Sequence, residues 1–203
     1  DGGQTVMGAD MEQANTDYWG KNSSSWIVVE KSTAQKYSGS RSLKLNKLSG
    51  SNGYAYNKNS NGASNYIEVY PGCSIDVKCY VRQMHNVQET PTGDDGLRIG
   101  FKLVTQDELT VAGWVYPIDT RTDAMNIANH GEWIEYSGRY TIPATSMARK
   151  ALLLCLLSTS TSNNADFWID NISVTYNSGL SLPAAPSGSG LFMGSDKLGF
   201  YDN

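Results

Sequence analysis

The segment CSIDVKCYVRQ, residues 73–83, alternates without a break. Cys73, Ile75, Val77, Cys79 and Val81 fall on one side, and Ser74, Asp76, Lys78, Tyr80 and Arg82 on the other. A period of two marks a strand with one packed face and one open face. The segment GLRIGFKLV repeats the pattern, with Leu97, Ile99, Phe101 and Leu103 inward and Arg98, Gly100 and Lys102 outward. Alternation or enrichment in β-branched and aromatic residues marks further strands near 26–33, 42–48, 54–57, 65–70, 111–118, 133–142, 151–158 and 166–176. ALLLCLLS, residues 151–158, is apolar on both parities, as expected of a strand covered on both sides. The turn-rich stretches LSGSNG, NKNSNGAS, ETPTGDDG and STSTSNNAD separate the strands. Only DAMNIANH, residues 123–130, could make a helical turn or two. The expected fold is therefore all-β, a two-sheet antiparallel sandwich of jelly-roll type.

A chain of 203 residues has room for one such sandwich, here residues 1–178. The Gly, Ser and Pro composition of 179–190 predicts a flexible linker. Residues 191–203, LFMGSDKLGFYDN, regain apolar character, as the start of a further module would. The chain begins DGGQTVMG, which reads as a mature product or as a piece of a longer polypeptide. With 16 basic against 20 acidic residues, the charge gives no footprint for nucleic acid or anionic lipid. No apolar run approaches the ~20 residues of a membrane-spanning helix, so membrane insertion is not expected. Cys73 and Cys79 lie roughly 20 Å apart on a straight strand, too far for a disulfide. Cys155 could pair with either, but the three thiols read better as buried apolar fillers.

Within DFWIDNISVTY, residues 166–176, Asp170 stands out among apolar neighbours. An unpaired buried charge costs several kcal/mol, so backbone N–H groups, an arginine such as Arg41 or a bound cation must compensate it.

Four stretches in this order resemble the carbohydrate-binding modules of xylanases and glucanases, in the families numbered four, nine and twenty-two. GADMEQANTDYWG is similar to the opening motif, with Glu12 in the acidic position and Trp19 in the tryptophan position. AQKYSGSRSLKL is similar to the Ser-Gly turn and strand, with Tyr37 in place of histidine. VYPGCSIDVKCYVR resembles a central strand, and GEWIEYSGRYTIPA with DFWIDNISV resembles the closing pair. The resemblance spans residue 8 to about residue 176. It implies a structural calcium ion held by Glu12, the turn from Lys36 to Ser40 and Asp170, with the Asp10 carbonyl as an extra ligand. The residues alone leave N–H bonds or Arg41 as alternatives to the metal.

Sugars present flat C–H faces ringed by hydroxyls, and proteins meet them with exposed aromatic rings and polar side chains. The best-placed candidates are Tyr80 and Arg82, opposite an apolar strand face, with Arg98 and Lys102 on a neighbouring outward row. Trp114 and Tyr116 share one parity of VAGWVYP, and either parity could be core. Trp19, Tyr54 and Tyr56 are edge-loop candidates, whereas Trp26, Trp133, Tyr140 and Trp168 are assigned to the core. His85 and His130 lie in polar contexts away from any Ser or Cys motif, and no GxSxG, HExxH, P-loop or CxxC pattern occurs. Asp94 and Asp95 read as turn residues, and Glu132 and Glu135 have no partner assignable from sequence. A non-catalytic role is expected.

The resemblance thus implies an extracellular glycan-binding module joined to catalytic or structural modules of one parent chain. A second reading places the sandwich in a phage tail or fibre that recognises cell-surface glycans, with oligomerisation through the C-terminal tail.

Overall fold

A computed structural model describes residues 8, 10–13, 16–48, 51–84, 96–121, 130–158 and 165–177, and the backbone of 85, 190–193 and 198–201. Thirteen strands follow in chain order: β1 (Trp19–Lys21), β2 (Ile27–Ser32), β3 (Ser42–Lys47), β4 (Gly53–Asn57), β5 (Tyr66–Glu68), β6 (Ser74–His85), β7 (Leu97–Val104), β8 (Val111–Asp119), β9 (Trp133–Thr141), β10 (Lys150–Leu157), β11 (Ala165–Asn177), β12 (Gly190–Met193) and β13 (Leu198–Tyr201). The expected strands all form. Three more appear: β12 and β13 beyond residue 178, and the short β1, where Trp19 pairs Asn57 in an antiparallel ladder that three residues are too few to announce.

Two antiparallel sheets make the sandwich. One runs β1-β4-β10-β7-β8, with β5 also paired to β10, and the other runs β2-β3-β11-β6-β9. β4 holds Leu154 to Leu157 of β10 and β5 holds Lys150 to Leu152, so β4 and β5 follow one another along the same edge. Inward residues of both sheets interlock in one core, including Leu43, Leu45, Ile75, Val77, Phe101, Leu153 and Phe167. At one margin Gly138 of β9 lies against the Pro117 carbonyl of β8, an approach that a Cβ would block. All three cysteines are buried free thiols.

β12 and β13 pair antiparallel. The linker expected at 179–190 falls, apart from the backbone of Gly190, outside the described residues. Most of the helical turn expected at 123–130 and all of Asp94 and Asp95 also lie outside them.

β10 explains why apolar residues of both parities occur in one strand. Leu153 and Cys155 face the core, while Leu152, Leu154 and Leu156 face outward yet are at most 5% exposed. Their cross-strand neighbours cover them: Tyr66 and Lys102 beside Leu152, Tyr56 and Gly100 beside Leu154, Tyr54 and Arg98 beside Leu156. The outer face of this sheet is therefore aromatic and cationic over a leucine floor.

Candidate functional site

Rings gather on that outer face. β8 carries an irregularity against β7, where Ile99 opposes Ile118 but Phe101 opposes Val115. The extra residue re-aims the strand, so Val115 and Ile118 meet the core and Trp114 projects outward at 43% exposure. Gly100 makes this possible, since a methyl there would overlap the Val115 carbonyl oxygen. Trp114 meets Tyr54 of β4 edge to face, with centroids 5.6 Å apart. β4 and β8 are separated by β10 and β7, a span of about 14 Å at ordinary strand spacing. The side chains therefore lean together across the face and roof part of the leucine floor.

Beside them opens a cleft of about 460 Å³ lined by Asn22, Trp26, Asn52, Tyr54, Trp114, Tyr116 and Leu156. That volume suits a small ligand or one or two sugar units. Its polar wall is fixed from below: Asn22 Nδ2 donates to the Asn52 carbonyl at 2.9 Å, and the Tyr54 backbone N–H donates to Asn22 Oδ1 at 2.9 Å. Burial raises the pKa of the Tyr54 and Tyr116 hydroxyls, although Arg98 pulls Tyr116 the other way. Both phenols stay protonated at neutral pH and can donate. Arg98 lies over the Tyr116 ring at 5.6 Å and Lys102 over the Trp114 ring at 5.6 Å. Exposed rings of this kind can stack on a flat apolar face, and the asparagines, phenols and cations that frame them can meet polar groups at its rim.

The structure divides the sequence candidates. Trp114, Tyr116, Tyr54, Tyr56 and Arg98 share the outer face of the six-stranded sheet. Tyr80 and Arg82 do not join them, because β6 belongs to the other sheet, so a single groove shared with Arg98 and Lys102 does not exist. The alternation of β6 showed that these residues point outward, but it could not show which sheet they leave. There Tyr80 stacks on Tyr37 at 3.6 Å and its hydroxyl donates to Glu135 at 2.5 Å, while Arg82 sits in register between Trp168 and Trp133. Trp19 is 3% exposed and belongs to the core rather than to an edge loop. Trp26, expected in the core, is 38% exposed and lines the cleft, because it precedes β2 instead of lying within it. Trp133, also expected in the core, is half-buried and meets Tyr37 edge-on at 6.0 Å. Asn22 and Asn52 carried no sequence signal, since their role comes from one loop docking on another. A second depression, about 400 Å³, lies on the five-stranded sheet around Asp76, Lys78, Arg139 and Ser173. It holds no aromatic ring, and Arg139 and Asp76 close an ion pair across it.

Asp170 is fully buried. Its carboxylate accepts from the backbone N–H groups of Tyr37 at 3.0 Å, Ser38 at 3.1 Å and Asn171 at 2.8 Å. Burial still raises its pKa against the pull of these bonds. Asn171 sits at φ 48° where β11 slips register against β6, and that bulge turns its N–H onto the carboxylate. Glu12 accepts from the Ser40 N–H at 3.0 Å and the Ser40 hydroxyl at 2.5 Å, which lower its pKa. Gly39, at φ 59°, lets the turn pass over the Glu12 carboxylate. Asp10 Oδ1 accepts from the Glu12 N–H at 3.3 Å, and Lys36 is exposed. Arg41 donates to the Glu12 carbonyl at 3.1 Å. Lys31 Nζ donates to the Met11 carbonyl at 2.9 Å and lies within Coulombic range of Asp10, Asp170 and Glu12. Burial pushes the Lys31 pKa down to about 8, so it keeps its proton at neutral pH.

Calcium takes six to eight oxygens at about 2.3–2.6 Å. In this clamp the Glu12 and Asp170 oxygens face N–H and O–H donors, and the Met11 carbonyl faces an ammonium. The described residues contain no group of three or more His, Cys, Asp or Glu side chains placed to hold a metal. These oxygens are thus engaged by donors of the chain itself.

No family model and no curated protein sequence matches the chain. Solved structures do. The xylan-binding CBM22-1 domain of Xyn10C from Paenibacillus barcinonensis aligns at 16% identity and TM-score 0.51, covering 82% of this chain and 90% of that one. A second module of carbohydrate-binding family 16 aligns at 15% identity and TM-score 0.52, covering 84% and 98%. The enzymatically active domain of tailspike protein 4 from bacteriophage CBA120 aligns at 12% identity and TM-score 0.56, covering 85% of this chain but 21% of that one. A family 4 module also aligns, at TM-score 0.50. The chain shares the β-sandwich fold of the carbohydrate-binding modules of families 22, 16 and 4.

Proposed function

We propose that this chain is a non-catalytic carbohydrate-binding module that takes a polysaccharide or oligosaccharide in the cleft of Trp26, Tyr54, Trp114 and Tyr116. The observation that carries this reading is the convergence of exposed rings from three separate segments onto one concave face, with fixed amide groups beside them. The fold shared with carbohydrate-binding modules supports it. Such a module works outside the cell by concentrating attached modules on a polymer. Titration of the chain against a panel of soluble polysaccharides tests it. Binding that Trp114→Ala abolishes while the melting curve persists supports the reading, and no binding to any polymer overturns it.

The likeness to a tailspike domain favours a second setting, a virion adhesin that recognises cell-surface glycans. Mass in solution separates the two, since a fibre module assembles and an enzyme-borne module is monomeric.

For the clamp we infer that Lys31 supplies positive charge where the sequence resemblance implied a calcium ion in this chain. The Lys31 ammonium donates to the Met11 carbonyl and lies within Coulombic range of Asp10, Asp170 and Glu12.

A further inference from the structure

The charges around the aromatic cleft select among sugars. Arg98 and Lys102 stand on β7 in register with Leu156 and Leu152, beside the ring walls. Neither forms an ion pair among the described residues, and Arg98 Nε is buried with no hydrogen-bond partner. The nearby carboxylates are each bound by another cation, although Asp119 also lies within Coulombic range of Arg98. Asp119, opposite Arg98 in register, is bound by Arg121 at 2.5 Å, and Glu108 by Lys150 at 2.7 Å. The cleft lining itself contains no carboxylate.

A sugar hydroxyl donates as well as accepts, so a site for neutral sugars needs acceptors. Arg and Lys can only donate, and the Asn22 amide has already given one N–H to the Asn52 carbonyl and one Oδ1 lone pair to the Tyr54 N–H. The frame thus sets two cationic donors beside amides and phenols that both donate and accept, with no carboxylate of its own. Both cations rest on aromatic rings, a contact weaker than a charge-assisted hydrogen bond to a carboxylate. The rings hold the cations at the cleft, and an incoming anion can draw them off.

We propose that the cleft takes an acidic glycan, its sugar faces against Trp114 and Tyr54 and its uronate carboxylates against Arg98 and Lys102. This rests on the sugar-binding reading above and assigns the ligand class within it.

Isothermal titration of the chain with polygalacturonate, alginate, a neutral β-glucan, a neutral mannan and poly-aspartate tests it, at low and at high salt. The expected result is at least tenfold tighter binding to one polyuronate than to either neutral polymer, with the preference shrinking as salt rises. Arg98→Gln and Lys102→Gln, each checked by thermal melting, should each bring the ratio of polyuronate to neutral affinity several-fold closer to one. Equal or tighter binding of a neutral polymer, or a ratio that neither variant changes, overturns the proposal and leaves the sugar-binding reading standing. Poly-aspartate binding as tight as polyuronate binding also overturns it, by showing a surface for anions rather than for acidic sugars. Binding to none of the polymers removes the sugar-binding reading together with this one.

Discussion

Tyr54 and Trp114 meet edge to face at 5.6 Å although two strands separate them in the sheet. On the proposed sugar-binding reading the pair acts as one recognition unit, because each ring packs against the other. Replacing either by alanine should weaken glycan binding by about 2 kcal/mol, roughly 30-fold. The double variant should lose clearly less than the sum of the two, and a calorimetric double-mutant cycle checks this. Strict additivity would mean that the rings bind separately.

Trp26 and Tyr80 should behave oppositely. Trp26 lines the cleft, whereas Tyr80 lies on the other sheet with its ring on Tyr37. In titrations Trp26→Ala should reduce affinity several-fold and Tyr80→Ala should leave it within error. A loss confined to Tyr80→Ala would move the site to the five-stranded sheet.

The clamp should not respond to metal. Excess chelator, or added calcium, is expected to leave the melting temperature of the wild-type chain unchanged. Lys31→Met strands the Met11 carbonyl and removes a positive charge within Coulombic range of Asp10, Glu12 and Asp170. It should cost about 1–3 kcal/mol of stability, part of which calcium restores. A chelator-induced drop in the wild-type melting temperature would return calcium to the site.

Acid should remove the Glu12 contribution to the same clamp. The Ser40 bonds hold Glu12 below its ordinary pKa of 4.5, so the folded state binds this proton less readily than the unfolded one. The Glu12 contribution is therefore complete above that ordinary value and is lost as pH falls through the folded one. Denaturant melts between neutral pH and pH 3 should show a shallower acid decline for Glu12→Gln than for the wild type.

Gly100 is a backbone requirement of the site. Gly100→Ala places a methyl on the Val115 carbonyl oxygen and should cost about 1–3 kcal/mol in chemical denaturation. Because Gly100 sits under the β8 irregularity, the variant should also lower affinity by turning Trp114.

The alternation of CSIDVKCYVRQ and GLRIGFKLV determined that these segments are strands and which side chains face outward, because side-chain direction in a strand is a local consequence of its pleat. The order of the four motifs likewise pointed to the sandwich fold. Partnership across the fold has no such local cause. Tyr80 and Arg98 look equivalent along the chain, yet pairing of β6 with β11 and of β7 with β10 sends them to opposite outer faces. Trp26 leaves the core and Trp19 enters it because strand ends are set by ladder partners, not by composition. Lys47 gives no hint in the sequence that it is buried, its ammonium reaching the carbonyls of Ser51 and Leu157. The unusual Asp170 was legible as a charge in need of compensation, since desolvation penalises any buried carboxylate. What compensates it, three N–H groups brought by a turn over 130 residues away and by a bulge, only the tertiary structure could decide.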